Sequence, residues 1–122
     1  MHMTRVLIAD DERLFGEAVE LILGSDERIE VVGRALDGRQ AIALAHELKP
    51  DVVVMDLSMP GVDGFTATEA ILAASAAVRV VVLSGSADPA DVAKARQAGA
   101  WGYVTKENIA GELSPRVIDA AA

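Results

Sequence analysis

The sequence predicts a three-layer α/β domain: a parallel five-stranded sheet with helices on both faces. Two observations carry this. Short β-branched runs alternate five times with helix-like segments along the whole chain, the pattern of right-handed crossovers in a parallel sheet. The central runs are apolar at every position, with no in-out alternation, as strands covered on both faces must be.

Each element has its own signal. Val6-Leu7-Ile8-Ala9 is the first strand and ends in acids. The spacing of Leu14, Ala18 and Ile22 predicts a helix over 13–23, with Gly24 as its stop. The second strand, 29–33, is less apolar, as an edge is. Asp37-Gly38 marks a turn. Ala41, Leu44, Ala45 and Leu48 fall at i, i+3, i+4, i+7 and predict an amphipathic helix closed by Pro50. Val52 to Met55 is the third strand, ended by Asp56, and residues 58–64 form a loop rich in Pro and Gly. Helix 65–74, strand 78–83, a helix from Asp88-Pro89 to about 98 stopped by Gly99, and strand 101–104 follow. A last helix lies beyond Lys106. Ser114-Pro115 is a strong helix-start signal, so this helix is expected to be short or kinked at Pro115. The alanine-rich helices suit close packing on the sheet.

The 122 residues fit one domain, 1–122, with a core large enough to need no staples. Met1 and His2 read as a cloning remnant before a native start at Met3. With 52% hydrophobic and 25% charged residues the chain is globular, and without cysteine it has no disulfide or thiolate metal site. Nothing points to an oxidising compartment, and a cytoplasmic location is expected. A net charge of −8 argues against direct nucleic-acid binding by this segment. The apolar runs are of strand length, too short to cross a membrane.

In a parallel sheet all carboxyl ends share one rim. Strand one ends in Asp10-Asp11, strand three in Asp56 and strand four in Ser84, and strand five is followed by Thr105-Lys106. Strand two ends in Gly33 and contributes nothing. In the order 2-1-3-4-5 the topological switch lies between strands one and three, which brings Asp10, Asp11 and Asp56 together. Three carboxylates in one pocket repel, and Mg²⁺ resolves this, with the backbone carbonyl of Ser58 as a further ligand. Lys106 supplies a compact positive charge and Ser84 a hydroxyl for a phosphoryl oxygen. An aspartate can attack phosphorus to give an acyl phosphate. This chemistry leaves open which of Asp56, Asp10 and Asp11 is the nucleophile.

Together Val6-Leu7-Ile8-Ala9-Asp10-Asp11, the loop Asp56-Leu57-Ser58-Met59-Pro60-Gly61-Val62-Asp63-Gly64, Leu83-Ser84 and Gly99-Ala100-Trp101-Gly102-Tyr103-Val104-Thr105-Lys106 resemble response-regulator receiver domains of two-component systems. The resemblance spans nearly the whole chain and implies a flavodoxin-like (βα)5 fold. It implies that Asp56 accepts a phosphoryl group from a sensor histidine kinase. Asp10 and Asp11 would hold Mg²⁺, Lys106 would bond the phosphoryl oxygen, and Ser84 and Tyr103 would form a switch pair. The domain would catalyse only its own phosphorylation and dephosphorylation. Asp56-Leu57-Ser58-Met59-Pro60 and Gly99-Ala100-Trp101-Gly102-Tyr103 are most similar to regulators with a LuxR-type helix-turn-helix output domain. That implies transcriptional control through a C-terminal DNA-binding domain absent from this chain, and is compatible with a homodimer.

Glu107 stands where many receivers have proline after the lysine, which weakens any expectation of a cis bond. Ser84 replaces the commoner threonine and keeps the hydroxyl. Asp63-Gly64 is turn and helix-start chemistry. Asp10-Asp11 alone could be a helix-start signal, Tyr103 packing, Trp101 a surface aromatic and His46 a solvated side chain. Ser58 and Ser86 flank the site and are placed to tune attack by water. The competing readings are an unphosphorylated pseudo-receiver acting as an interaction module, and an aspartyl-phosphate phosphatase. The latter usually needs a second acid beside its nucleophile, where this chain has Ser58.

Overall fold

The computed structural model describes residues 2–122; of the two leading residues, Met1 lies outside them. Five parallel strands, β1 (Thr4–Ala9), β2 (Ile29–Ala35), β3 (Val52–Asp56), β4 (Arg79–Ser84) and β5 (Gly102–Thr105), form one sheet of order β2-β1-β3-β4-β5. Between them run α1 (Arg13–Gly24), α2 (Gly38–Leu48), α3 (Gly64–Ala74) and α4 (Pro89–Gln97). A 3₁₀ turn, Lys106–Asn108, leads into α5 (Ile109–Ala121).

The period of two along each strand sorts the core into two clusters. Leu7, Ala9, Val53, Met55, Val80 and Val82 face α2, α3 and α4, where Ala41, Ala45, Ala67, Ile71 and Ala95 meet them. Their neighbours Val6, Ile8, Val52, Val54, Val81 and Leu83 face α1 and α5, against Val19, Leu23, Leu113 and Val117. Each fully buried Val or Leu contributes about 1.5–3 kcal/mol. The covered faces explain why these strands read as unbroken apolar runs.

Three expectations need correction. Strand β2 does not end at Gly33 but runs on to Ala35. Its pairing with β1 slips at Val6 and Leu7, whose partners are Val31 and Gly33, so Val32 is an extra residue. Gly33 reflects close packing: a Cβ there would lie 2.9 Å from Leu48 Cδ1. The α1 face is also rotated. Gly16, Val19 and Leu23 are buried, whereas Leu14 is 77% exposed. Finally, Ser114-Pro115 starts no helix. The α5 helix begins at Ile109, beyond Lys106 as expected, and carries Pro115 within its 13 residues, so it is not short. The carbonyl that Pro115 leaves without its helical donor belongs to Gly111.

Helix starts follow their caps. The Asp37 side chain accepts from Gln40 N at 2.7 Å and Asp63 from Thr66 N at 2.8 Å. At the other end of α2, Lys49 adopts a left-handed backbone with φ of 50° just before Pro50. Gly99, with φ of 104°, ends the α4 segment as its position predicts. No cis peptide bond occurs among the described residues.

Candidate functional site

The carboxyl rim collects the expected side chains. The Asp10 amide donates to Ala35 O at 3.0 Å, so the last residue of β2 anchors the end of β1. Strand two thus adds a backbone group to the rim, although no side chain. Asp10 and Asp56 are buried, 2% exposed each, while Asp11 stands open at the mouth. One carboxylate oxygen from each of Asp10, Asp11 and Asp56 lies within 4.8 Å of the others.

The surroundings of the two buried acids differ. Asp10 Oδ1 accepts the Glu12 amide at 2.8 Å, whereas its Oδ2 is buried without a hydrogen-bond partner. Burial pushes the Asp10 carboxyl up to about 6, the Glu12 amide opposes this, and the nearby Asp56 charge adds to it. The same residue is therefore not the N-cap of α1; that position is Glu12, which makes no side-chain cap bond. Asp56 is also raised above the ordinary carboxylate range, first by burial, against the Ser58 amide and Lys106. Ser58 N donates to Asp56 Oδ1 at 3.2 Å, and Lys106 Nζ lies 3.4 Å from Asp56 Oδ2. An acceptor oxygen orphaned among converging carboxylates is the donor set a hard divalent cation takes.

Ser84, 7% exposed, closes β4, and its Oγ accepts the Ser86 amide at 3.1 Å. Half-buried Tyr103 on β5 donates its hydroxyl to the Ser86 carbonyl at 2.7 Å. Trp101 is 44% exposed and His46 is exposed, as expected of residues outside the site. Sequence reasoning overlooked Phe15. Its ring, from the first turn of α1, lies under Lys106 Nζ at 4.6 Å from the centroid. The available signal was an aromatic four residues beyond Asp11 on a helix that starts at the rim.

Three acids, a lysine and a hydroxyl thus meet on one rim of a parallel sheet, the arrangement expected of a receiver domain. Residues 6–118 match the family described as the response regulator receiver domain, and the chain belongs to that family. It is 40% identical over 104 residues to the response regulator GacA of Pseudomonas aeruginosa, covering 85% of this chain and 49% of that protein. It is 39% identical over 127 residues to protein-glutamate methylesterase/protein-glutamine glutaminase 5 of Myxococcus xanthus, covering 96% of this chain and 36% of that enzyme. The solved signal receiver domain of NarL from Mycobacterium tuberculosis superposes with a TM-score of 0.95 at 36% identity, covering 99% and 98% of the two chains. LuxR-family regulators are among its structural likenesses. The chain spans about half the length, or less, of the curated relatives it matches. Its family binds Mg²⁺ at an acidic pocket of this kind. No helix among the described residues is long and apolar enough to cross a membrane.

Proposed function

We propose that this receiver domain takes a phosphoryl group from a sensor histidine kinase onto Asp56. The observation that carries the assignment is the position of Asp56: buried at the end of β3, with Lys106 at 3.4 Å and the Ser58 amide at 3.2 Å. Among the described residues Lys106 pairs with Asp56 and with neither Asp10 nor Asp11. An Asp56 oxygen forms the new P–O bond as the donor's P–N bond breaks, and the histidine imidazole departs with the electron pair. Asp10, Asp11, Asp56 and the Ser58 carbonyl would hold Mg²⁺, which would neutralise the charge on the transferring group. Lys106 turns its ammonium from Asp56 to a phosphoryl oxygen, and the Ser84 hydroxyl serves another.

Phosphorylation then biases an existing two-state equilibrium. Ser84 and Tyr103 are the switch pair, acting on the face of α4, β5 and α5. The domain works only on its own aspartate. A C-terminal DNA-binding output domain, a transcriptional role, a cytoplasmic location and a homodimer complete the reading. The LuxR-family likenesses support the output domain, and the methylesterase relative is the other kind of output to be tested. The complete set of site residues speaks against a module that never takes up phosphoryl.

The test is intact mass after incubation with Mg²⁺ and acetyl phosphate. One added phosphoryl group on wild type and none on Asp56→Asn is expected. Labelling of Asp56→Asn at the wild-type rate would overturn the nucleophile assignment. Absence of both labelling and Mg²⁺ binding would restore the pseudo-receiver.

A further inference from the structure

We propose that Phe15 is a positioning residue for phosphoryl transfer: its ring face holds the Lys106 ammonium at the acceptor. The inference rests on the reading that Asp56 is phosphorylated and Lys106 binds the transferred group.

Lys106 stands in the 3₁₀ turn after β5 and reaches the site through four flexible methylene groups. Two contacts fix its ammonium: Asp56 Oδ2 at 3.4 Å and the Phe15 ring centroid at 4.6 Å. Only one of them survives the reaction. Once Asp56 becomes an acyl phosphate, its carboxylate charge is gone, and the ammonium must shift to a phosphoryl oxygen. The ring is unchanged by the chemistry. It is half-buried and packed on the core cluster beneath α1 and α5. With the Lys106 side chain only 26% exposed, water competes weakly for the ammonium, the setting in which a ring quadrupole attracts a cation best. An aliphatic side chain would pack on the same core yet offer the ammonium nothing.

The chain provides its own controls. It has three lysines: Lys106 over Phe15, Lys94 at 4.4 Å over Phe65, and Lys49, which is exposed at the end of α2. In the full chain with ¹³C-labelled lysine, ring currents should shift the ε-CH₂ protons of Lys106 and Lys94 upfield of those of Lys49. Phe15→Leu should return the Lys106 signal to the Lys49 position and leave Lys94 in place, and Phe15→Tyr should preserve it. Uptake from acetyl phosphate should slow roughly fivefold in Phe15→Leu, about 1 kcal/mol, and remain near wild type in Phe15→Tyr. If Phe15→Leu does not fold, Phe15→Met replaces it as the ringless variant.

A Lys106 signal already at the Lys49 position in wild type overturns the contact. Wild-type uptake by a folded ringless variant overturns the positioning role, as does wild-type uptake by Lys106→Ala. A wild-type chain that never labels defeats the phosphoacceptor reading and the role with it, while the ring-current shift still decides the contact.

Discussion

The Tyr103 hydroxyl donates to the Ser86 carbonyl at 2.7 Å, and the amide of that same Ser86 donates to Ser84 Oγ at 3.1 Å. One residue of the β4–α4 loop thus touches both members of the proposed switch pair, one through each of its backbone groups. If Ser84 turns its hydroxyl toward a phosphoryl group, the bond that holds the Ser86 amide changes, and the carbonyl that holds Tyr103 moves with it.

This linkage predicts a signature. Phosphorylation of wild type should shift both the Ser86 amide and the Tyr103 ring signals in NMR spectra. In Ser84→Ala, Asp56 should still take up phosphoryl, but the Tyr103 response should be largely lost. A full Tyr103 response in that variant would show that the two residues are not joined through Ser86. Tyr103→Phe removes one partly exposed hydrogen bond and should lower stability by about 1 kcal/mol.

The acids should make the cation-free protein less stable at neutral pH. Burial pushes the Asp10 carboxyl up to about 6 from an ordinary 3.8. Between those values the folded chain keeps a proton that the unfolded chain has released. Stability is therefore fully present below this window and declines as pH rises through it. The decline from Asp10 alone is about 3 kcal/mol. Urea unfolding of wild type and Asp10→Asn at pH 4 and pH 7, in a chelator, should show the steeper loss in wild type. Parallel losses in both would mean that Asp10 is not the group responsible. Added Mg²⁺ should recover stability at pH 7 in wild type more than in the variant.

Neutralising Asp56 relieves the same crowding. Its carboxyl is raised chiefly by burial, so Asp56→Asn removes a desolvated charge while keeping its shape. In chelator at pH 7, Asp56→Asn should melt a few degrees higher, corresponding to about 1 kcal/mol. A lower melting temperature would show that the Lys106 pair outweighs the cost of burying the charge.

The fold was legible because parallel strands buried on both faces cannot hide their apolar runs, and because acids at strand ends have few structural reasons to be there. Asp10, Asp11, Asp56, Ser84 and Lys106 needed only the rule that carboxyl ends share a rim. Boundaries set by packing were harder. Gly33 resembles a strand end in sequence, yet it marks the approach of Leu48. Leu14 has helical spacing with Ala18 and Ile22, yet the buried stripe of α1 is Gly16, Val19 and Leu23. Pro115 and Ser114 imitate a helix start and suggested a short or kinked helix, yet α5 begins at Ile109, just beyond Lys106, and runs on to Ala121. The Phe15 contact joins two elements 91 positions apart, from α1 to the turn after β5, which no local pattern encodes.

Gly64, the first residue of α3, packs directly against the backbone that carries Asp56. A Cβ there would collide with the Asp56 carbonyl oxygen and come within 2.7 Å of Leu57 Cα. Both are backbone atoms, so relief requires the strand end that carries Asp56, or the start of α3, to move. The Gly64 amide also donates to Leu57 O at 3.2 Å, which ties the helix start to the same segment. Gly64→Ala should therefore cost about 2 kcal/mol and slow phosphoryl uptake by displacing the acceptor. Gly61→Ala is the informative contrast. Gly61 has φ of 72° in the same loop, with nothing within 4 Å of an added Cβ. It should cost about 1–2 kcal/mol of backbone strain while leaving uptake near wild type. Equal uptake by Gly64→Ala and wild type would mean that the loop absorbs the Cβ without moving Asp56, and that close packing at Gly64 serves stability alone.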